Sequence, residues 1–271
     1  MTTTHRLGSR AHSGLRGASD NPWLERVARL GFVASGLLHL LIAFIAIRVA
    51  WGQGGGRADQ SGALSLLAQD SWGRVVLWVA AVGLAALGLE QLLEAVTNSG
   101  GDAKDQLGRR GKPAGKAVVY LVLAYTFQSF AHGSGSSSSK KNTELTASLM
   151  RHSGGRALVV LIGLVVLVVG IYHVVKGVRR KFRDDLRSDP PAVVDALAVA
   201  GYVAKGVALA VVGVLFCIAG IHRQPSQASG LDGALRALRD QPAGPVLLTV
   251  VAAGLAAYGL YSFCRARLAK F

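Results

Sequence analysis

The sequence predicts an all-α integral membrane protein with six transmembrane helices, laid out as three tandem helical hairpins in pseudo-threefold parallel repeats. Three observations predict it: an apolar composition, charge-free runs of membrane length, and a glycine-marked segment that returns three times. Of 271 residues, 51% are hydrophobic, and the mean hydropathy is +0.39, too apolar for an ordinary soluble domain. Leu30 to Ile47, Ala157 to Val175 and Gly206 to His222 carry no Lys, Arg, Asp or Glu. Each covers most of a ~30 Å hydrocarbon core at ~1.5 Å per residue.

The repeated segment is Gly73 to Val96. Shifted by 82 positions it overlays Gly155 to Val178, matching Gly73 to Gly155, Arg74 to Arg156 and Gly88 to Gly170. Shifted by 171 it meets Gly244 to Arg267, where six of the seven residues Gly83 to Leu89 are identical to Gly254 to Leu260. A glycine returning at Gly88, Gly170 and Gly259, each after the same kind of turn, marks an internal repeat.

In chain order, residues 1–23 form a basic cytoplasmic tail, with helix expected from Trp23 to Arg29 and Trp23 suited to the membrane interface. Residues 24–98 make the first repeat, whose spans are Leu30 to Val49 and Gly73 to Val96. Between them, Ala63, Leu64, Leu66 and Leu67 suit a short helix lying on the membrane surface. Residues 99–181 hold a basic connector and the second repeat, with spans Ala117 to Phe130, entered at Pro113, and Ala157 to Lys176. Its middle loop, with the run Gly133 to Ser139, is expected to be disordered. Residues 182–271 hold a connector broken by Pro190 and Pro191, the third repeat and a short tail. Its spans are Leu197 to Ala219 and Pro245 to Cys264, the second opening on a proline where a first-turn N–H has no partner anyway.

The net charge of +15 sits between apolar runs, in segments without aromatic-interleaved basic motifs. That placement fits the positive-inside rule and not nucleic-acid binding. With six spans, the termini and the two even connectors hold 19 Lys plus Arg against 9 in the other loops, so both termini are expected in the cytoplasm. The basic segments there suit anionic lipid headgroups. Cys217 and Cys264 both lie in apolar runs and read as core residues, without a disulfide framework or metal site.

The opening Gly31-Phe32-Val33-Ala34-Ser35-Gly36 overlays Gly201-Tyr202-Val203-Ala204-Lys205-Gly206, and Gly-Arg starts the second helix of two units. Three two-span units with these motifs resemble the domain-of-unknown-function family 1206, over roughly residues 24–268. The resemblance implies a multi-pass membrane protein, mostly actinobacterial in kind and placed in the bacterial inner membrane. It implies no catalytic residue, because no activity is established for the family.

Ionisable groups inside spans are costly and kept for pairing or function. His39, Glu90 and Lys205 fall in the cytoplasmic half at similar depth. As a cluster they would form a proton or ion relay between repeats. The plain alternative is that Lys205 snorkels to the interface, Glu90 sits one turn from Glu94, and His39 is a hydrogen-bonded core residue. Gly31, Gly36, Gly83, Gly88, Gly170, Gly201, Gly206, Gly254 and Gly259 read as helix-packing sites. No HExxH, phosphate-binding GxxxxGK[ST], CxxC or GxSxG occurs, so neither an enzyme nor a cofactor is expected. The first functional expectation is a structural or interaction component of the membrane with a possible membrane protein partner. The alternative is a small channel or ion- or proton-coupled transporter at the inter-repeat interface.

Overall fold

A computed structural model describes residues 22–53, 56–97 and 103–270; the basic tail up to residue 21 and residues 98–102 of the second connector lie outside them. The described residues are helical, with a single isolated bridge between Leu186 and Ala269. The long helices are α1 (Pro22–Ala50), α3 (Ser71–Thr97), α4 (Ala103–Ala131), α6 (Gly155–Val178), α7 (Ala192–His222) and α9 (Gly244–Leu268). A short helix links the long pair in each repeat: α2 (Gln60–Leu67), α5 (Ser138–Met150) and α8 (Leu231–Arg239).

Among the described residues, five helices are long and apolar enough to cross a membrane: α1, α3, α6, α7 and α9. The expected third span, Ala117 to Phe130, lies within α4 but is not one of the five. Lys116, Tyr125, Thr126 and Gln128 interrupt its apolar character. Helix α4 also begins earlier than expected, at Ala103, and carries Pro113 in its interior. Ala, Leu, Gln, Lys and Arg make up seven of residues 103–112, and their helix propensity offsets Gly108 and Gly111 and extends the helix into the expected connector.

The serine run corrects a second expectation. Ser137 caps α5 by accepting the Lys140 N–H at 3.2 Å, so the run's end starts a helix. Serine competes for backbone donors and is favoured at this position.

The largest correction concerns pairing. The extensive helix contacts are α6 with α7, α3 with α4, and α9 with α1, each joining the second long helix of one repeat to the first of the next. Within a repeat, only α7 and α9 pack extensively; α1 with α3 and α4 with α6 meet at most marginally. The repeats are therefore interlocked rather than closed hairpins, and α9 against α1 joins the last repeat to the first.

The recurring glycine explains the pairing. A Cβ on Gly88 would stand 2.8 Å from Leu121 of α4, one on Gly170 2.8 Å from the Gly206 carbonyl oxygen of α7, and one on Gly259 2.9 Å from the Gly36 carbonyl oxygen of α1. The α6–α7 seam continues this with sevenfold spacing: Gly163, Gly170 and Gly177 oppose Gly213, Gly206 and Tyr202, and Gly220 lies against Val160. A seven-residue period keeps one stripe on the partner helix. Gly201 packs on Tyr258 and Gly254 on Ala204, which joins α7 to α9. Gly31 and Gly83 have nothing within 4 Å of an added Cβ, so neither is a packing site.

The three short helices gather at the end opposite the termini. The Asp232 carboxylate accepts the Ala58 N–H at 2.9 Å and the Arg236 Nε–H at 3.0 Å, while Arg236 Nη2 donates to the Gly56 carbonyl at 3.0 Å. Ser61 donates to Asp59 at 2.6 Å and accepts the Ser138 N–H at 3.1 Å. These bonds tie repeat three to repeat one, and repeat one to repeat two. Beneath them lies an apolar core that includes Ile42, Ala46, Val49, Leu235, Leu248 and Leu255.

Candidate functional site

The polar groups within the long helices collect toward the other end, where α1 begins and α9 finishes. The 3-10 turn Lys181–Asp185 follows α6 there, and Arg187 N–H donates to the Leu268 carbonyl at 2.8 Å. Phe182, Tyr202, Tyr258 and Tyr261 form a buried aromatic core. Phe182 stacks on Tyr202 at 5.7 Å between centroids, and Tyr202 meets Tyr258 edge to face at 5.4 Å.

Cations surround these rings. The Lys205 ammonium lies 4.2 Å over the Tyr258 ring and the Arg265 guanidinium 4.6 Å over Phe32. Ring faces carry negative potential, so such stacking is worth roughly 0.5 to 2 kcal/mol per pair, more when desolvated. Asp185 gathers two further bonds: Lys176 Nζ at 2.7 Å and Arg265 Nη2 at 3.1 Å. Arg265 Nη1 also donates to the Tyr202 hydroxyl at 3.2 Å. One carboxylate thus joins the end of α6 to the end of α9.

Of the three residues expected to meet, the structure brings two together. His39 lies 4.7 Å from Tyr258, centroid to centroid, on the ring that Lys205 covers. Glu90 is exposed on α3, and among the described residues no hydrogen bond or ion pair joins it to either. Helix α3 pairs with α4, which carries Glu90 away from α1 and α7. The residue that does approach is His173 of α6, whose ring is 6.0 Å from Tyr202. Both imidazoles donate Nδ1–H to the carbonyl four residues back, His39 to Ser35 at 2.7 Å and His173 to Val169 at 2.8 Å. That fixes the tautomer and leaves each Nε2 as the acceptor.

Tyr258 could not be singled out from sequence, because a tyrosine in an apolar run reads as interface or core. Asp195 was likewise missed. It is buried at the start of α7 and takes Arg183 Nε at 2.6 Å and Arg180 Nε at 3.3 Å. Its hydrogen bond raises the Arg183 pKa above the ordinary guanidinium value.

Fold and site together define a helical membrane protein built of three two-helix repeats with a cation-bearing aromatic cluster at one end. The chain belongs to the family described as Domain of Unknown Function (DUF1206), which it matches three times, at residues 30–98, 112–180 and 200–269. It is also similar to a curated protein of Bacillus subtilis (strain 168), the uncharacterized protein YxxB, with 28% identity over 251 residues and 90% of each chain covered. No solved structure matches the chain.

Proposed function

We propose that this protein is a structural or interaction component of the cell membrane, spanning it six times with both termini in the cytoplasm. The observation that carries the reading is the closed end. Helix α5 is bonded to α2 through Ser138 and Ser61, and α8 to the turn before α2 through Asp232, over a core of Ile, Val, Leu and Ala, with a cavity lined by Arg48, Arg57, Ser65 and Gln69 beside it. A conducting path would need polar groups through that end, and water would need two to four polar partners at each step.

Helix α4 is the sixth span in this reading. Phe130 and Ala131 at its end pack with Leu64 of α2 and with Leu77, in the second turn of α3. A 27-residue helix such as α3 rises about 40 Å at ~1.5 Å per residue, so α4 must run back over that distance. The basic segments at the termini face anionic lipid headgroups, and a membrane protein is the expected partner. We assign no enzymatic reaction and no nucleic-acid ligand.

The second reading, a channel or ion- or proton-coupled transporter, draws on His39, His173 and Lys205 around Tyr258 and Tyr202. Proton and cation flux into liposomes holding the purified protein separates the two. No flux from folded protein, together with specific adducts on in-membrane cross-linking, is the expected result. Flux that disappears in Lys205→Met overturns the structural reading.

A further inference from the structure

Next to the aromatic cluster, a cavity of about 480 Å³ opens between the turn after α6 and the start of α7. Arg180 and Arg183 form one wall, Asp195 lies between them, and Ala192, Ala196 and Ala200 line the apolar side. Both guanidiniums share the one carboxylate, so the charged side chains lining the groove are two positive and one negative, with Asp189 acting on Arg183 from outside the lining. Arg180 is held in the left-handed region at φ 53°, a costly conformation for a side chain with a Cβ that persists where the surroundings enforce it. Its side chain remains 58% exposed after pairing with Asp195, leaving donors directed outward.

The depth of the groove also matters. Val178, the last residue of α6, and Val193, in the first turn of α7, are both largely exposed beside it. Large apolar side chains exposed at the end of a membrane-length helix meet lipid. Arginines and exposed valines therefore lie at one level, where a phospholipid changes from phosphate to acyl chain.

We infer that this groove is a binding site for one anionic phospholipid, with its phosphodiester on Arg180 and Arg183 and its glycerol and upper acyl chain along Ala192, Ala196 and Ala200. The inference rests on the proposed contact between the basic segments and anionic lipid, and narrows it to one place. A phosphodiester carries one negative charge, and the guanidiniums lining the groove outnumber its carboxylate by one. Guanidinium is suited to it, because its planar fork donates two parallel hydrogen bonds. A zwitterionic headgroup would add an ammonium beside Arg179 and Lys181.

The test uses the full chain in nanodiscs, with native mass spectrometry of retained lipid from equal mixtures of phosphatidylglycerol and phosphatidylcholine. Helical circular dichroism and melting temperature check folding of each variant. The expected result is preferential retention of phosphatidylglycerol, lowered about fivefold by Arg180→Gln, in keeping with the ~1 kcal/mol carried by one basic residue near a membrane surface. Asp195→Asn, which removes the competing carboxylate, raises retention. Ala196→Trp fills the apolar side and lowers retention while leaving every charge in place. Competition by inorganic phosphate that displaces the lipid equally well would overturn the lipid assignment in favour of a free-anion site. Undiminished preference in both Arg180→Gln and Ala196→Trp overturns this groove and leaves the general lipid contact standing. Absence of any preference in the unaltered protein overturns both.

Discussion

Gly259 and Gly83 are chemically the same residue in matching repeat segments, yet the fold asks different things of them. An added Cβ on Gly259 meets the Gly36 carbonyl oxygen at 2.9 Å, while one on Gly83 meets nothing within 4 Å. Gly259→Val should lower stability by about 1 to 3 kcal/mol through overpacking between α9 and α1. Gly83→Ala should be neutral or raise stability by up to about 1 kcal/mol through helix propensity. Denaturant titration in detergent, followed by circular dichroism, reads both. Equal losses would contradict the pairing described here. At this scale the sequence was partly legible. Recurrence identified Gly88, Gly170 and Gly259, but spacing alone could not distinguish Gly83 from Gly254, which packs on Ala204. His39 and Lys205 stood out as ionisable groups in apolar runs. Their meeting point, Tyr258, did not, because a cation over an aromatic ring leaves no trace in residue spacing.

Among elements, the helix pairs are the main departure from expectation. Hydropathy periodicity records that a helix is apolar, not which helix covers it, and short connections favour the assumption that sequential helices form a hairpin. Here each connection between the long helices of a repeat contains a short helix, which gives α1 and α3 room to part. In a background lacking Cys217 and Cys264, the pair Gly88→Cys and Leu121→Cys should cross-link α3 to α4 on mild oxidation, read by gel mobility after cleavage between the helices. A control pair across α1 and α3 should stay unlinked. The reverse pattern would restore the hairpin arrangement. A short helix was legible at Ala63 to Leu67, though Ala63 and Leu64 are buried in the core and do not lie on the membrane surface; the helix after the serine run was missed, where low complexity concealed the cap at Ser137.

For the molecule as a whole, the gathering of α2, α5 and α8 puts their three loops at one end, and the proposed sidedness rests on the charge count. Single cysteines at Ser134 and Ser65 should then be labelled only by reagent outside the cell, and one at Arg187 only after the membrane is breached. If Ser134→Cys reacts from the cytoplasm while Ser65→Cys does not, α4 fails to cross and the protein has five spans. The number of repeats was legible because it is written in glycine and charge. The closure of α9 on α1 was not, since it joins segments far apart in the chain with no motif unique to them.

That closure sets an order in time. Of the described long helices, α1 is synthesised first and its partner α9 last. Until then Gly36 and the part of α1 that α9 covers lack that partner, and a contact so distant in sequence forms slowly. The first of these helices waits for the last, so a ribosome that stalls within the third repeat leaves a chain with an open seam for quality control to recognise.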